Sequence, residues 1–174
     1  ITKNSEIDCR RLNCWTRMKK VLVLLIFSLI LNACALSRNI YSKGKPISKA
    51  DKVVKNALKY NGVPYKFGGT SKRGMDCSGV IYVAFGQENI QLPRVSREMA
   101  KRGRKISLSK VKKGDLLFFR TFNSRRRINH VGLIISIKNG QILFIHSTSS
   151  KGVIVSALSQ KYWKNAFVKA TSIL

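Results

Sequence analysis

Asn139-Gly140 divides two apolar, β-branched runs, His130 to Ile137 and Ile142 to His146. A tight hairpin is what such a pair of residues between such runs dictates. The chain's two histidines open one run and close the other, so the hairpin register decides whether they meet. A strict two-residue loop would set Lys138 against Gln141 and His146 against Leu133. Strand alternation would then send the two imidazoles to opposite faces. A three-residue loop with a glycine bulge pairs Ser136 with Ile142 and Gly132 with His146. That register puts both histidines on one face, with room left by the absent side chain of Gly132, and it is the one expected if they act together.

The rest of the domain frames this hairpin. Ser48, followed by Asp51, reads as an N-cap before a helix with Ala50, Val53, Val54, Ala57 and Leu58 on one face. Asn61-Gly62 is expected to end it. Pro64 to Gly69 reads as an extended, glycine-punctuated loop. A second, buried helix is predicted from about Cys77 to Glu88, and Ser96 is expected to cap a short third one. From Gly114 the pattern turns to strands: Leu116 to Phe119, the hairpin, Val153 to Val155, and Phe167 to Ile173. Helices first and antiparallel strands after predict an α+β domain, its helices packed on a sheet of about five to six strands.

The chemistry is expected at Asp76-Cys77-Ser78-Gly79. A cysteine in the first turn of a helix meets unpaired N–H groups and the positive end of the helix dipole, which favour thiolate. His130 is then a candidate general base and His146 a candidate orienting group. A lone cysteine before an apolar helix is also a common core residue. Ser78 is read chiefly as a helix cap. For Asp76, capping and contact with a substrate peptide stay open.

Export is read from the N-terminal region. Met18 is followed by Lys19 and Lys20, an apolar run Val21 to Leu31, and Leu31-Asn32-Ala33-Cys34. This is a basic n-region, an h-region and a small-residue cleavage site, with the apolar run short for a membrane span. The tetrad resembles a bacterial lipobox, which implies cleavage before Cys34 and acylation of its thiol. Residues 1–17 are expected to be an upstream extension, 18–33 a lipoprotein signal, 34–47 a tether and 48–174 the folded domain. Cys9 and Cys14 precede the proposed start, which leaves Cys77 the free thiol of an exported chain. Cysteine and histidine spacing shows no zinc pattern, so no metal or other cofactor is expected.

The formal charge is +27, from 34 basic and 7 acidic residues. Residues 1–33 carry six of the basic and two of the acidic ones, so the excess lies in the domain. Such a field favours polyanions. Export and the lack of an aromatic–basic RNA-binding motif argue against nucleic acid. Arg125-Arg126-Arg127 is expected in a loop before His130, where it either clasps an anionic substrate or is simply solvated.

Six stretches together resemble the NlpC-type family of papain-like bacterial cysteine peptidases. They are Val63-Pro64-Tyr65-Lys66-Phe67-Gly68-Gly69, Met75-Asp76-Cys77-Ser78-Gly79, Leu92-Pro93-Arg94, Lys113-Gly114-Asp115-Leu116-Leu117-Phe118-Phe119, Asn129-His130-Val131-Gly132 and Phe144-Ile145-His146. The resemblance implies a circularly permuted papain-like fold with Cys77 as nucleophile, His130 as base and His146 as the third member. Tyr65 would help hold the oxyanion, beside the Cys77 N–H, and contact with the substrate peptide is the other reading of Asp76 and Ser78 besides capping. The implied substrates are peptidoglycan stem peptides or cross-links, cut by a lipid-anchored monomer in the bacterial envelope. Ala35, in place of an aspartate, hints at the outer rather than the inner membrane. An N-acetylmuramoyl amidase or acyltransferase on the same fold is the alternative within catalysis. A non-catalytic wall-binding lipoprotein is the alternative outside it.

Overall fold

Ser48 begins the first helix as its sequence position predicts. Its backbone is extended (φ −65°, ψ 156°), and its hydroxyl accepts the Asp51 N–H at 3.1 Å and donates to the Asp51 carboxylate at 2.7 Å. In the computed structural model, which describes residues 19–24, 46–121 and 127–174, this helix is α1, Lys49–Leu58. It ends at Leu58, before Asn61-Gly62. Gly62 instead takes a positive φ of 85° and donates its N–H to the Val153 carbonyl at 2.8 Å, drawing the next loop onto the sheet.

The chain divides into two units, residues 1–46 and 47–174. In the first, residues 19–24 are helical with Val21 to Leu24 exposed. No helix among the described residues is long and apolar enough to cross a membrane. The Leu31–Cys34 tetrad, tether positions 34–45, Arg125 and Arg126 lie outside the described residues.

In the second unit a small hairpin, β1 Thr70–Ser71 and β2 Gly74–Met75, leads into α2, Cys77–Gly86. A short α3, Ser96–Met99, follows. Its N-cap is Val95, without a side-chain bond, so Ser96 starts the helix rather than capping it. Six strands then form one sheet: β3 Arg104–Ile106, β4 Leu116–Phe119, β5 His130–Lys138, β6 Gln141–Thr148, β7 Gly152–Ala157 and β8 Phe167–Ser172. Their order is β3-β8-β4-β5-β6-β7 and every pairing is antiparallel. Helix α4, Lys161–Ala166, precedes β8. The α+β expectation therefore holds, with six strands. Two-residue and three-residue strands such as β1 and β3 carry too little periodicity to read from sequence.

Alternation along the strands gives the sheet two buried faces. Leu116, Phe118, Val131, Leu133, Ile145 and Val153 join Val53, Val54 and Ala57 of α1 and Val80, Ile81, Ala84 and Phe85 of α2. Leu117, Phe119, Ile134, Phe144 and Ala170 instead join Trp163 and Ala166 of α4. His130 and His146 fall on this second face, in register with Gly132, Ile134 and Phe144.

The register is reached by a different route from the one expected. Asn139 (φ 49°) and Gly140 (φ 74°) are both left-handed, which is the two-residue turn whose twist matches the flanking strands. Lys138 accordingly faces Gln141, and Ser136 faces Leu143 rather than Ile142. Between Ile134 and Ser136 the register slips by one, so that Ile134 faces Phe144 and Leu133 faces Ile145. The extra residue sits in the strand at Ile135 instead of in the turn. Continued one step, this pairing sets Gly132 opposite His146, which restores the common face. The space beside Gly132 is filled by Phe144, since a Cβ there would lie 2.4 Å from the Phe144 Cδ2. Gly132→Ala is expected to cost about 1–3 kcal/mol by forcing that ring aside. Urea denaturation measures it, and a variant as stable as the parent would contradict this packing.

Candidate active site

Asp76 organises the segment that carries the thiol. It is the N-cap of α2, extended at φ −92°, and accepts the Gly79 N–H at 2.7 Å. Its other oxygen accepts the Gly68 N–H at 2.8 Å. Arg94 closes on both carboxylate oxygens at 2.9 Å, and also donates to Ser78 Oγ at 2.9 Å and the Gly69 carbonyl at 3.1 Å. Burial pushes the Asp76 carboxyl up, but the Arg94 bonds and the two backbone N–H groups outweigh it and leave the pKa below the ordinary value. Capping thus belongs to Asp76. Ser78, expected to cap, donates to Asp76 Oδ1 at 3.1 Å and links it to Arg94. Asp76 and Ser78 are both buried, whereas the Arg94 side chain is 31% exposed.

Helix α2 presents Cys77 in its first turn, and one side-chain bond ties the residue before its cap to the hairpin. Ser147, next to His146, donates to the Met75 carbonyl at 2.8 Å. Asn129, next to His130, bridges to Thr121 through its side chain at 2.9 Å in both directions. The Cys77 Sγ lies 4.0 Å from the Asn129 carbonyl oxygen. Cys77 keeps part of its surface in the cleft, yet protein encloses the sulfur closely enough to push the thiol up to about 11. Burial is the main cause. The N–H groups of Val131, Ser78 and Cys77 itself pull the other way, and the Asp76 charge adds to the rise. The thiolate expected from the helix start is therefore not the resting form, because desolvation exceeds the helix-end contribution.

The histidines are joined directly, His130 Nε2 to His146 Nδ1 at 3.0 Å. His146 Nε2 meets Ser156 Oγ of β7 at 2.8 Å. An aromatic wall surrounds them. Trp163 of α4 stacks on His130 at 5.1 Å and meets His146 edge-on at 4.5 Å, while Phe144 stacks on His146 at 4.8 Å. Burial lowers His130 to about 4, slightly opposed by Asp76, and lowers His146 to about 3, with the neighbouring His130 adding to the fall. Both imidazoles are neutral near pH 7. With Nε2 of His130 spent on His146, Nδ1 is the nitrogen left for the thiol.

Tyr65, Cys77 and His130 line one cleft of about 270 Å³, together with Thr121, Asn129, Ser147, Thr148, Ser149, Tyr162 and Trp163. Burial raises the Tyr65 pKa, helped by Cys77 and Asp76, so its hydroxyl keeps its proton as a donor. The expected residues Cys77, His130 and Tyr65 therefore share this cleft, and His146 sits directly behind His130. No group of three or more metal-ligating side chains occurs among the described residues. Sequence reasoning missed Ser156 and Trp163, and it met Arg94 only as part of a motif. A serine in a strand and a tryptophan in a six-residue helix carry no local signal of what they touch.

Comparison with known proteins agrees with this fold. The NlpC/P60 family model matches residues 62–172. The "Probable endopeptidase NlpC homolog" of Haemophilus influenzae is 40% identical over 114 residues, 65% of this chain and 57% of that protein. The "Murein DD-endopeptidase MepS/Murein LD-carboxypeptidase" of Escherichia coli is 36% identical over 116 residues, 66% of this chain and 58% of that protein. The chain thus spans less than two thirds of the length of these relatives. Among solved structures, an NlpC/P60 family protein from Bacillus cereus superposes with a TM-score of 0.66 at 28% identity, covering 74% of this chain and 41% of that one.

The buried imidazoles make stability depend on pH. In the unfolded chain each titrates near 6.5, whereas in the fold they titrate at about 4 and about 3. Below pH 6.5 the unfolded chain binds more protons, so stability falls as pH drops. The urea midpoint is expected to be flat from pH 8 to 7 and to decline from 6.5 to 5, with a shallower decline in His146→Gln. A midpoint unchanged between pH 7 and 5 would show that the rings are not held neutral.

Proposed function

The chain belongs to the NlpC/P60 family, and from that premise we propose that it is a cysteine endopeptidase of peptidoglycan stem peptides or cross-links. The observation that carries this reading is the shared cleft of Cys77, His130 and Tyr65, with His146 bonded behind His130. The murein DD-endopeptidase named among the relatives supports the substrate class.

In this reading the cleft starts from neutral partners. As Cys77 Sγ attacks the scissile carbonyl, its proton passes to His130 Nδ1. The imidazolium is stabilised by donating from Nε2 to His146, and by the face of Trp163, which stacks on it at 5.1 Å with the rings inclined by 24°. The carbonyl oxygen, now negative, accepts from the Tyr65 hydroxyl and the Cys77 N–H. His130 then gives its proton to the departing amine as the C–N bond breaks, leaving a thioester that water hydrolyses with His130 again as base. Asp76 and Ser78 are buried and are not among the residues lining the cleft, so in this reading they hold Arg94 and the start of α2 in place rather than touch substrate.

The location follows from residues 18–34 rather than from the fold. Met18 to Cys34 is proposed to direct export and lipidation at Cys34, placing a monomer on the periplasmic face of the outer membrane. In detergent-phase partitioning, the native chain is expected in the detergent phase and Cys34→Ser in the aqueous phase. Equal partitioning would remove the anchor from this reading.

Mass spectrometry of purified muropeptides tests the activity. The native chain should release peptide fragments from stems or cross-links, and Cys77→Ala should lose at least about a thousandfold in rate. Release of the whole stem from muramic acid would indicate an amidase instead. Identical spectra for the two proteins, over several stem types, would reject catalysis.

A further inference from the structure

Both nitrogens of the buried His146 ring are occupied: Nδ1 faces His130 Nε2 at 3.0 Å and Nε2 faces Ser156 Oγ at 2.8 Å. The rest of the ring is walled by Phe144 at 4.8 Å and Trp163 at 4.5 Å. Ser156 is itself buried, on β7 opposite Phe144, which places its hydroxyl on the face shared by Phe144 and His146. We propose that Ser156 is a positioning residue that orders the protons of the histidine pair, accepting the Nε2–H of His146 so that His130 Nδ1 stays free to take the Cys77 proton.

The argument rests on the peptidase reading and follows the hydrogens. For His130 Nδ1 to be a base, the His130 proton must be on Nε2, where it donates to His146 Nδ1. His146 must then carry its own proton on Nε2, and Ser156 Oγ is the acceptor in reach. With the chain reversed, Ser156 would donate to Nε2, His146 would donate from Nδ1, and His130 would be left with a proton on the nitrogen meant for the thiol. The Ser156 hydroxyl oxygen can accept the His146 Nε2–H without rotation of the ring. An alanine cannot accept it, and in an aromatic wall nothing replaces the lost partner. An acidic third member accepts only. A histidine does both, so the productive direction here needs an acceptor for its Nε2–H behind it.

The test uses the full-length chain with ¹⁵N-labelled imidazoles, together with kinetics on a purified cross-linked muropeptide. In the native protein both His130 and His146 should show the Nε2–H tautomer. S156A should lose the single His146 tautomer and drop in kcat roughly tenfold to a hundredfold at unchanged KM. S156T, which keeps the hydroxyl, should recover the tautomer and most of kcat. A purely structural serine would lower thermal stability and leave the tautomer as it was. Retention of Nε2–H in S156A, an unchanged kcat, or a native His146 protonated on Nδ1 would each overturn the proposal. If the native chain cuts no muropeptide, the peptidase reading falls and the imidazole spectra alone decide the role of Ser156.

Discussion

The buried carboxylate of Asp76 is the interaction on which the site depends. One side chain caps α2, fixes the Gly68 N–H of the preceding loop and receives both ends of the Arg94 guanidinium. A carboxylate taken out of water is costly unless its oxygens are bonded, and here each oxygen has at least two donors. The loop with Tyr65, the helix with Cys77 and the segment with Arg94 therefore cannot shift independently. Close packing adds to this constraint: a Cβ at Gly79 would lie 2.1 Å from the Gly69 carbonyl oxygen, so loop and helix touch through backbone. Ser147, donating to Met75, fastens the same unit to the strand that carries His146.

A second constraint comes from the aromatic wall. Trp163, Phe144 and Phe119 pack around the histidines at ring separations of 4.5 to 5.9 Å. They keep water from the rings and so hold both neutral, just as the protein around Cys77 keeps the thiol protonated. The same low-dielectric surroundings strengthen each hydrogen bond along His130, His146 and Ser156. Cys77 in this state is not a standing thiolate. In the proposed mechanism its proton moves as the sulfur attacks, and the face of Trp163 is in place to stabilise the cation that forms.

Much of the fold was legible in the sequence. Ser48 and Asp51 specify a helix start through bonds only three residues long, and Asn139-Gly140 specifies a turn through two left-handed residues. Strands β4 to β8 were predicted to within a residue or two from apolar and β-branched runs. The register of β5 on β6 was legible only in its consequence. A turn that suits Asn-Gly leaves a one-residue mismatch, and packing absorbed it at Ile135 in the strand. Whether a strand bulges depends on what presses against it, and for Gly132 that is Phe144, which reaches it only in the paired sheet.

Sequence by itself determined the α+β class, the hairpin, the helix that begins at Cys77 and the candidacy of Cys77, His130, His146 and Tyr65. Those features arise from neighbours close along the chain, or from residue types whose chemistry belongs to the side chain itself. Tertiary structure decided the proton states and the partners: a thiol pushed up rather than down, Arg94 on Asp76, Ser156 behind His146, and Trp163 over both rings. Desolvation and diagonal contacts across strands depend on which segments are brought together in space, and no local stretch of the chain encodes that.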